Sequence, residues 1–149
     1  MKNERNDSRP SRDETLMEVA RAYARRSTCC RRHVGAAIGK DGRTLSTGYN
    51  GAPSGLPHCT PETCNENHSC TRTAHAEMGA IAYAARHGIK IEGATIYTTV
   101  SPCTICAWLI INSGIKRVVY AEAFRDTQPI DDLRAAGIEV CFMPPPPLS

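Results

Sequence analysis

A chain of 149 residues, 41% hydrophobic and 22% charged, has the size and composition of a single globular domain, long enough to bury about two-thirds of its unfolded surface. No stretch approaches the roughly 20 apolar residues of a membrane span, and residues 1–13 lack the apolar core of a signal peptide, so a cytoplasmic protein is expected. The net charge of +3 is too mild to imply nucleic acid by itself, and eight cysteines without a secretory signal read as reduced thiols at metal-ligand spacings.

Residues 1–12 form a polar leader without periodicity. Ser11 or Asp13 can cap a first helix over 13–27, with Leu16, Val19, Ala20 and Tyr23 at helical spacing toward a core. Arg21, Arg25, Arg26, Arg31 and Arg32 then cluster, as either a solvated face or a phosphate-facing rim. Two short strands follow, 34–39 and 43–49. Lys40-Asp41-Gly42 between them is a turn signal, which predicts an antiparallel hairpin. The segment Gly48-Tyr49-Asn50-Gly51-Ala52-Pro53-Ser54-Gly55 breaks regular structure; glycine permits close approach, so this is a connecting loop or a ligand-wrapping one.

A dense group comes next: His58, Cys59, Cys64, His68 and Cys70, in a long loop with little apolar content. A structural metal would order such a loop, and Cys29 could join from the end of the first helix. Spacing alone does not choose four ligands from these six, and free thiols with surface histidines are the alternative.

A helix over 73–87 begins near Thr73 or His75 and stops at Gly88, with Met78, Ile81, Ala82 and Ala85 as its expected buried stripe. Residues 94–100 are strand-like, and Ser101-Pro102 ends them. A helix beginning near Cys103 runs to Asn112-Ser113-Gly114. A strand over 116–121, a helix over 130–136 and a strand over 138–142 follow, then a Pro-rich tail over 144–149. The domain therefore spans 13–143. Alternating strands and helices predict parallel pairing, giving an α/β, three-layer α-β-α fold on a five-stranded mixed sheet.

The chemistry concentrates between His75-Ala76-Glu77 and Ser101-Pro102-Cys103-Thr104-Ile105-Cys106. A catalytic zinc takes three protein ligands in a tetrahedron and leaves the fourth position to water. His75, Cys103 and Cys106 supply those ligands, and Glu77 supplies a carboxylate that does not ligate. Both half-motifs fall at helix N-termini, where free N–H groups favour anions. The pairing of H-x-E with P-C-x-x-C is the signature of zinc-dependent nucleobase deaminases.

From Ser27 onward the chain resembles the deoxycytidylate (dCMP) deaminase family of the cytidine deaminase-like superfamily. Ser27-Thr28-Cys29, Val34-Gly35-Ala36, the glycine-asparagine loop and both zinc half-motifs carry the likeness. The resemblance implies hydrolytic deamination of dCMP to dUMP, with Glu77 moving a proton from water to N3 and then to the leaving ammonia. It implies that the Ala76 N–H holds the base carbonyl and Asn50 the sugar hydroxyl, with Phe124 and Ser101 lining the base. Ser27 and Arg31 are the candidates for phosphate. Cys59, Cys64, His68 and Cys70 look like an insert that carries a structural zinc. Arg86 matches a position linked in related proteins to regulation by dCTP with Mg2+, and a homo-oligomer (dimer, tetramer or hexamer) is expected.

One departure stands out: Gly79 occupies a position where the family pattern usually has Asn. It raises 5-substituted dCMP as an additional substrate. The competing reading, an editor of single-stranded nucleic acid or tRNA, predicts aromatics interleaved with basic residues. Two Phe, one Trp and five Tyr form no such stripe.

Overall fold

The computed structural model describes residues 8–64 and 72–148. Its elements are α1 (Arg12–Ala24), β1 (Gly35–Lys40), β2 (Arg43–Tyr49), α2 (Ala76–Arg86), β3 (Thr95–Thr98), α3 (Thr104–Asn112), β4 (Arg117–Tyr120), α4 (Gln128–Ala135) and β5 (Glu139–Phe142). The order and type match the sequence expectation, as does the five-stranded sheet, ordered β2-β1-β3-β4-β5. β1 pairs antiparallel with β2 and β3, and β3, β4 and β5 run parallel. The hairpin turns on Asp41 and Gly42, both at positive φ (54° and 76°), the conformation that a two-residue Asp-Gly turn requires.

The two faces are covered unequally. Ala36, Ile38, Ile96 and Val118 pack with Ala76, Ala80 and Ala84 of α2, Ala107 and Ile110 of α3 and Leu133 of α4. Ala37, Tyr97 and Val119 point the other way, onto Leu16, Met17 and Ala20 of α1. Two successive parallel crossovers, β3-α3-β4 and β4-α4-β5, run in one direction along the sheet, and α3 and α4 lie together on one side of it. No helix of the described residues is long and apolar enough to cross a membrane.

α1 opens with a capping box: Glu14 N–H donates to Ser11 Oγ at 3.0 Å, and Ser11 N–H to Glu14 Oε2 at 2.7 Å. It ends at Ala24 rather than Ser27, whose hydroxyl instead donates to the Asn50 carbonyl at 2.9 Å. Its buried face is Leu16, Met17 and Ala20, while Val19 is half-buried and Tyr23 is exposed. The rotation follows from two glycines of β1: a Cβ at Gly35 would lie 1.9 Å from the Ala20 carbonyl oxygen, and one at Gly39 would lie 2.6 Å from Leu16 Cδ1, so α1 lies directly on the strand.

α2 departs from expectation for the same reason. Its buried residues are Ala76, Glu77, Ala80 and Ala84; Met78 and Ile81 are half-buried, and Ala82 and Ala85 are exposed. A Cβ at Gly48 would lie 2.1 Å from the Ala76 carbonyl oxygen and 2.6 Å from Ala80 N. Helix backbone against strand backbone leaves room for alanine only.

Candidate active site

β3 ends beside the N-termini of α2 and α3, whose N-cap residues are His75 and Cys103. An N-cap side chain ordinarily accepts a hydrogen bond from its own helix. Neither His75 nor Cys103 does so, although both backbones are extended, at φ −74° and −75°. Their side chains converge instead. His75 Nδ1 lies 3.4 Å from Cys103 Sγ and 3.4 Å from Cys106 Sγ, and the three ligand atoms lie within 4.8 Å of one another.

This geometry fits zinc. Tetrahedral bonds of about 2.0–2.1 Å to nitrogen and about 2.3 Å to sulfur put N and S about 3.5 Å apart. One imidazole and two thiols also match the donor types zinc prefers. A hydrogen bond from Cys106 holds the Cys103 thiol down to about 4, and the same bond, followed by burial, pushes Cys106 up. A cation bound here would favour both thiols as thiolates.

Glu77 lies in the first turn of α2 and is only 4% exposed. Burial pushes its carboxyl above the ordinary range, opposed mainly by backbone hydrogen bonding. Thr98 Oγ1 stands 3.3 Å from Glu77 Oε1 and 2.7 Å from the Val100 carbonyl, which ties the carboxyl to the end of β3.

Ala76, Glu77, Asn50, Ser101, Phe124 and Arg31 line one cavity of about 430 Å³ together with His75 and Cys103. That volume is in the range of small-molecule sites. Asn50, 7% exposed, spans the cavity wall: Oδ1 accepts from Val34 N–H at 2.8 Å, and Nδ2 donates to the Arg32 carbonyl at 2.7 Å. An amide has two donor hydrogens and two acceptor lone pairs, so one of each remains for a ligand. Ser101 Oγ accepts from Phe124 N–H at 2.7 Å and fixes the loop after β4.

The remaining predicted residues lie elsewhere. Ser27 does not line the cavity; besides its bond to Asn50 it accepts from Cys29 N–H at 3.2 Å, which commits the hydroxyl to a turn. Cys29 lines this cavity, and next to it Cys30 Sγ donates to the Cys59 carbonyl at 3.5 Å. Partial desolvation, then the nearby Cys59 thiol, pushes both Cys30 and Cys64 up. His68 and Cys70 lie outside the described residues. Gly79 is not among the cavity-lining residues: a Cβ there would meet Gly48 Cα at 3.7 Å and Tyr49 O at 3.8 Å, on the side of β2. Of the clustered arginines, Arg31 and Arg32 line the cavity. The arginine cluster signalled this region, but adjacent arginines in irregular chain carry no periodicity to choose between them.

Comparison with known proteins agrees with this geometry. The family profile described as "Cytidine and deoxycytidylate deaminase zinc-binding region" matches residues 10–122. The deoxycytidylate deaminase of Enterobacteria phage T2 is 37% identical over 171 residues, covering 87% of this chain and 91% of that protein. The deoxycytidylate deaminase of Mycobacterium phage D29 is 42% identical over 125 residues, covering 76% and 96%. Among solved structures, the dCMP deaminase of cyanophage S-TIM5 in complex with dCMP and dUMP superimposes with a TM-score of 0.83. It shares 34% identity over 91% of this chain and 98% of that one.

Proposed function

This chain belongs to the cytidine and deoxycytidylate deaminase family, and from that premise we propose that it hydrolyses dCMP to dUMP and ammonia. The observation that carries the reading is the His75–Cys103–Cys106 cluster sharing one cavity with the buried carboxyl of Glu77. His75, Cys103 and Cys106 would hold the metal. When bound, zinc supplies Lewis-acid chemistry that makes water nucleophilic near neutral pH.

The rest falls to the protein. Glu77 takes a proton from the attacking water and delivers it to N3 as C4 becomes tetrahedral. It then takes the second water proton to the departing amino group, which leaves as ammonia. Burial suits Glu77 to both directions, because a raised pKa brings a carboxyl closer to the operating pH. Ala76, the first residue of α2, has an N–H without an intrahelical partner and holds the base carbonyl. The remaining donor and lone pair of Asn50 meet the sugar hydroxyl, and Phe124 and Ser101 wall the base.

Turnover of dCMP, deoxycytidine and a short single-stranded oligonucleotide by zinc-loaded protein tests the reading. A phosphate remote from C4 positions the base, so deoxycytidine should fall behind dCMP in kcat/KM by several orders of magnitude. A preference for the oligonucleotide over both monomers would move the chain to the nucleic-acid editors. The expected compartment is the cytoplasm, and a dCTP regulator with Mg2+ belongs to the same reading.

A second, structural zinc held by four of Cys29, Cys59, Cys64, His68 and Cys70 belongs to the same reading, supported by the closeness of the Cys59 thiol to Cys30 and Cys64. Among the described residues only His75, Cys103 and Cys106 stand at ligand spacing, so metal content decides. Two zinc ions per chain are expected. Cys59→Ala should remove one and lower Tm, and Cys103→Ala should abolish turnover. One zinc in the reconstituted wild type would end the structural-site reading.

Self-association has support on α3, which exposes Ile105, Trp108 and Leu109 on one face while its Ala107 and Ile110 are buried. A homo-oligomer is expected in sedimentation, and Trp108→Asp should weaken it.

A further inference from the structure

The mouth of the cavity is bridged by two segments 90 residues apart in sequence. Arg32 Nη2 donates to Glu122 Oε1 at 2.7 Å, and the guanidinium carbon lies 5.8 Å from the centroid of the Phe124 ring. Both ends are anchored by residues of the cavity wall. Asn50 Nδ2 holds the Arg32 carbonyl at 2.7 Å. Ser101 accepts from Phe124 N–H at 2.7 Å, and its own N–H donates to the Glu122 carbonyl at 2.8 Å. Arg32 and Phe124 line the same cavity as His75 and Glu77.

We propose that Arg32 is the residue that selects a 5′-monophosphate, and that Glu122 is a resident anion which the phosphate displaces. The inference rests on the deaminase reading above and deepens it. A guanidinium presents a planar fork that matches phosphate bidentately, whereas an ammonium acts as a point charge. Glu122 holds that fork weakly, because its side chain is 65% exposed and that of Arg32 41%, and exposed ion pairs are screened. A phosphate with a charge of about −1.5 to −2 outcompetes one carboxylate.

Phe124 gives the exchange its direction. The ring face attracts the cation whether or not Glu122 is engaged, so Arg32 stays over the cavity as its partner changes. A nucleoside without phosphate leaves Arg32 on Glu122 and gains nothing from it. The same contact links phosphate recognition to the base, since Phe124 also walls the cavity.

The test uses zinc-loaded wild type, Arg32→Ala, Arg32→Lys, Arg31→Ala and Glu122→Gln. Two ratios are measured: kcat/KM for dCMP over deoxycytidine, and affinity for dUMP over deoxyuridine by calorimetry. Arg32→Ala should lower both by about 10–100-fold, the range for lost charge-assisted hydrogen bonds, with Arg32→Lys intermediate. Glu122→Gln should raise them roughly two- to fivefold by removing the competitor. Ratios unchanged in Arg32→Ala, or collapsed in Arg31→Ala alone, would overturn the assignment. So would a fall in Glu122→Gln matching that in Arg32→Ala, because the pair would then only hold the loop. If wild type deaminates neither monomer, the deaminase reading fails while the dUMP-to-deoxyuridine ratio still decides the role of Arg32.

Discussion

Gly48 on β2 sits against Ala76 of α2 so closely that a Cβ at Gly48 would lie 2.1 Å from the Ala76 carbonyl oxygen. Ala76 separates His75 from Glu77, so this contact sets the height of both functional side chains above the sheet. Gly48→Ala must push helix backbone away from strand backbone, because Ala80 N also stands only 2.6 Å from the new atom. Overpacking of this kind costs about 1–3 kcal/mol. A shift near 1 Å of positioned groups can cost about 10²-fold in rate. Thermal unfolding and kcat/KM of zinc-loaded Gly48→Ala should therefore both fall, activity further than stability. Wild-type values of both would show that the helix can yield without loss.

Gly79, on the opposite side of the same contact, should behave in the other direction. A Cβ there meets Gly48 Cα at 3.7 Å and Tyr49 O at 3.8 Å, ordinary contact distances. Alanine in a helix interior is favoured over glycine by up to about 1 kcal/mol. Gly79→Ala should raise Tm by a few degrees and leave turnover of dCMP intact. A lowered Tm would mean that α2 and β2 pack more tightly than the distances indicate.

Glu77→Gln preserves side-chain shape beside Thr98 but removes the carboxyl proposed to carry protons. Loss of a positioned acid/base is typically worth about 10²–10⁴ in rate. The variant should keep its zinc by metal analysis and its fold by circular dichroism. Zinc retained together with near-wild-type kcat would take Glu77 out of the reaction.

Acid stability should report on Asp13. Its carboxylate accepts two hydrogen bonds from Arg117, at 2.7 and 2.6 Å, and one from the Tyr97 hydroxyl at 2.7 Å. The Arg117 bonds, against some desolvation, hold Asp13 below the ordinary carboxylate value of 3.8. A depressed folded pKa means that the stabilisation is fully present above the unfolded pKa, near 4, and is lost as pH falls through the lower folded value. The pair is partly exposed, so the effect is about 1 kcal/mol at most after screening. Denaturant unfolding from pH 6 to 2 should show a smaller acid loss in Asp13→Asn than in wild type. Parallel curves would remove Asp13 from acid unfolding.

The His75–Cys103–Cys106 cluster, the buried Glu77 beside it and the order of the nine described elements were legible in the sequence because each is a local pattern. Ligand spacing, a Pro before Cys103, the Asp41-Gly42 turn and strand periodicity are read over a few residues at a time. Helix faces were not legible to the same degree. Met78 and Ile81 outrank alanine by hydrophobicity, yet Ala76, Ala80 and Ala84 face the sheet, because Gly48 lets two backbones meet and only small side chains fit between them. Gly48 itself, read as part of a loop, acts through closeness to another element. The phosphate side shows the same limit. Spacing offers Ser27 and Arg31; the structure commits the Ser27 hydroxyl to the Asn50 carbonyl, keeps Arg31 on the cavity wall, and adds Arg32, held against Glu122 and Phe124. Those partners are 90 and 92 residues away (122 − 32 and 124 − 32). Periodicity encodes what a residue wants from its neighbours along the chain; which distant backbone and which distant charge it meets is decided only when the sheet and loops close around the site.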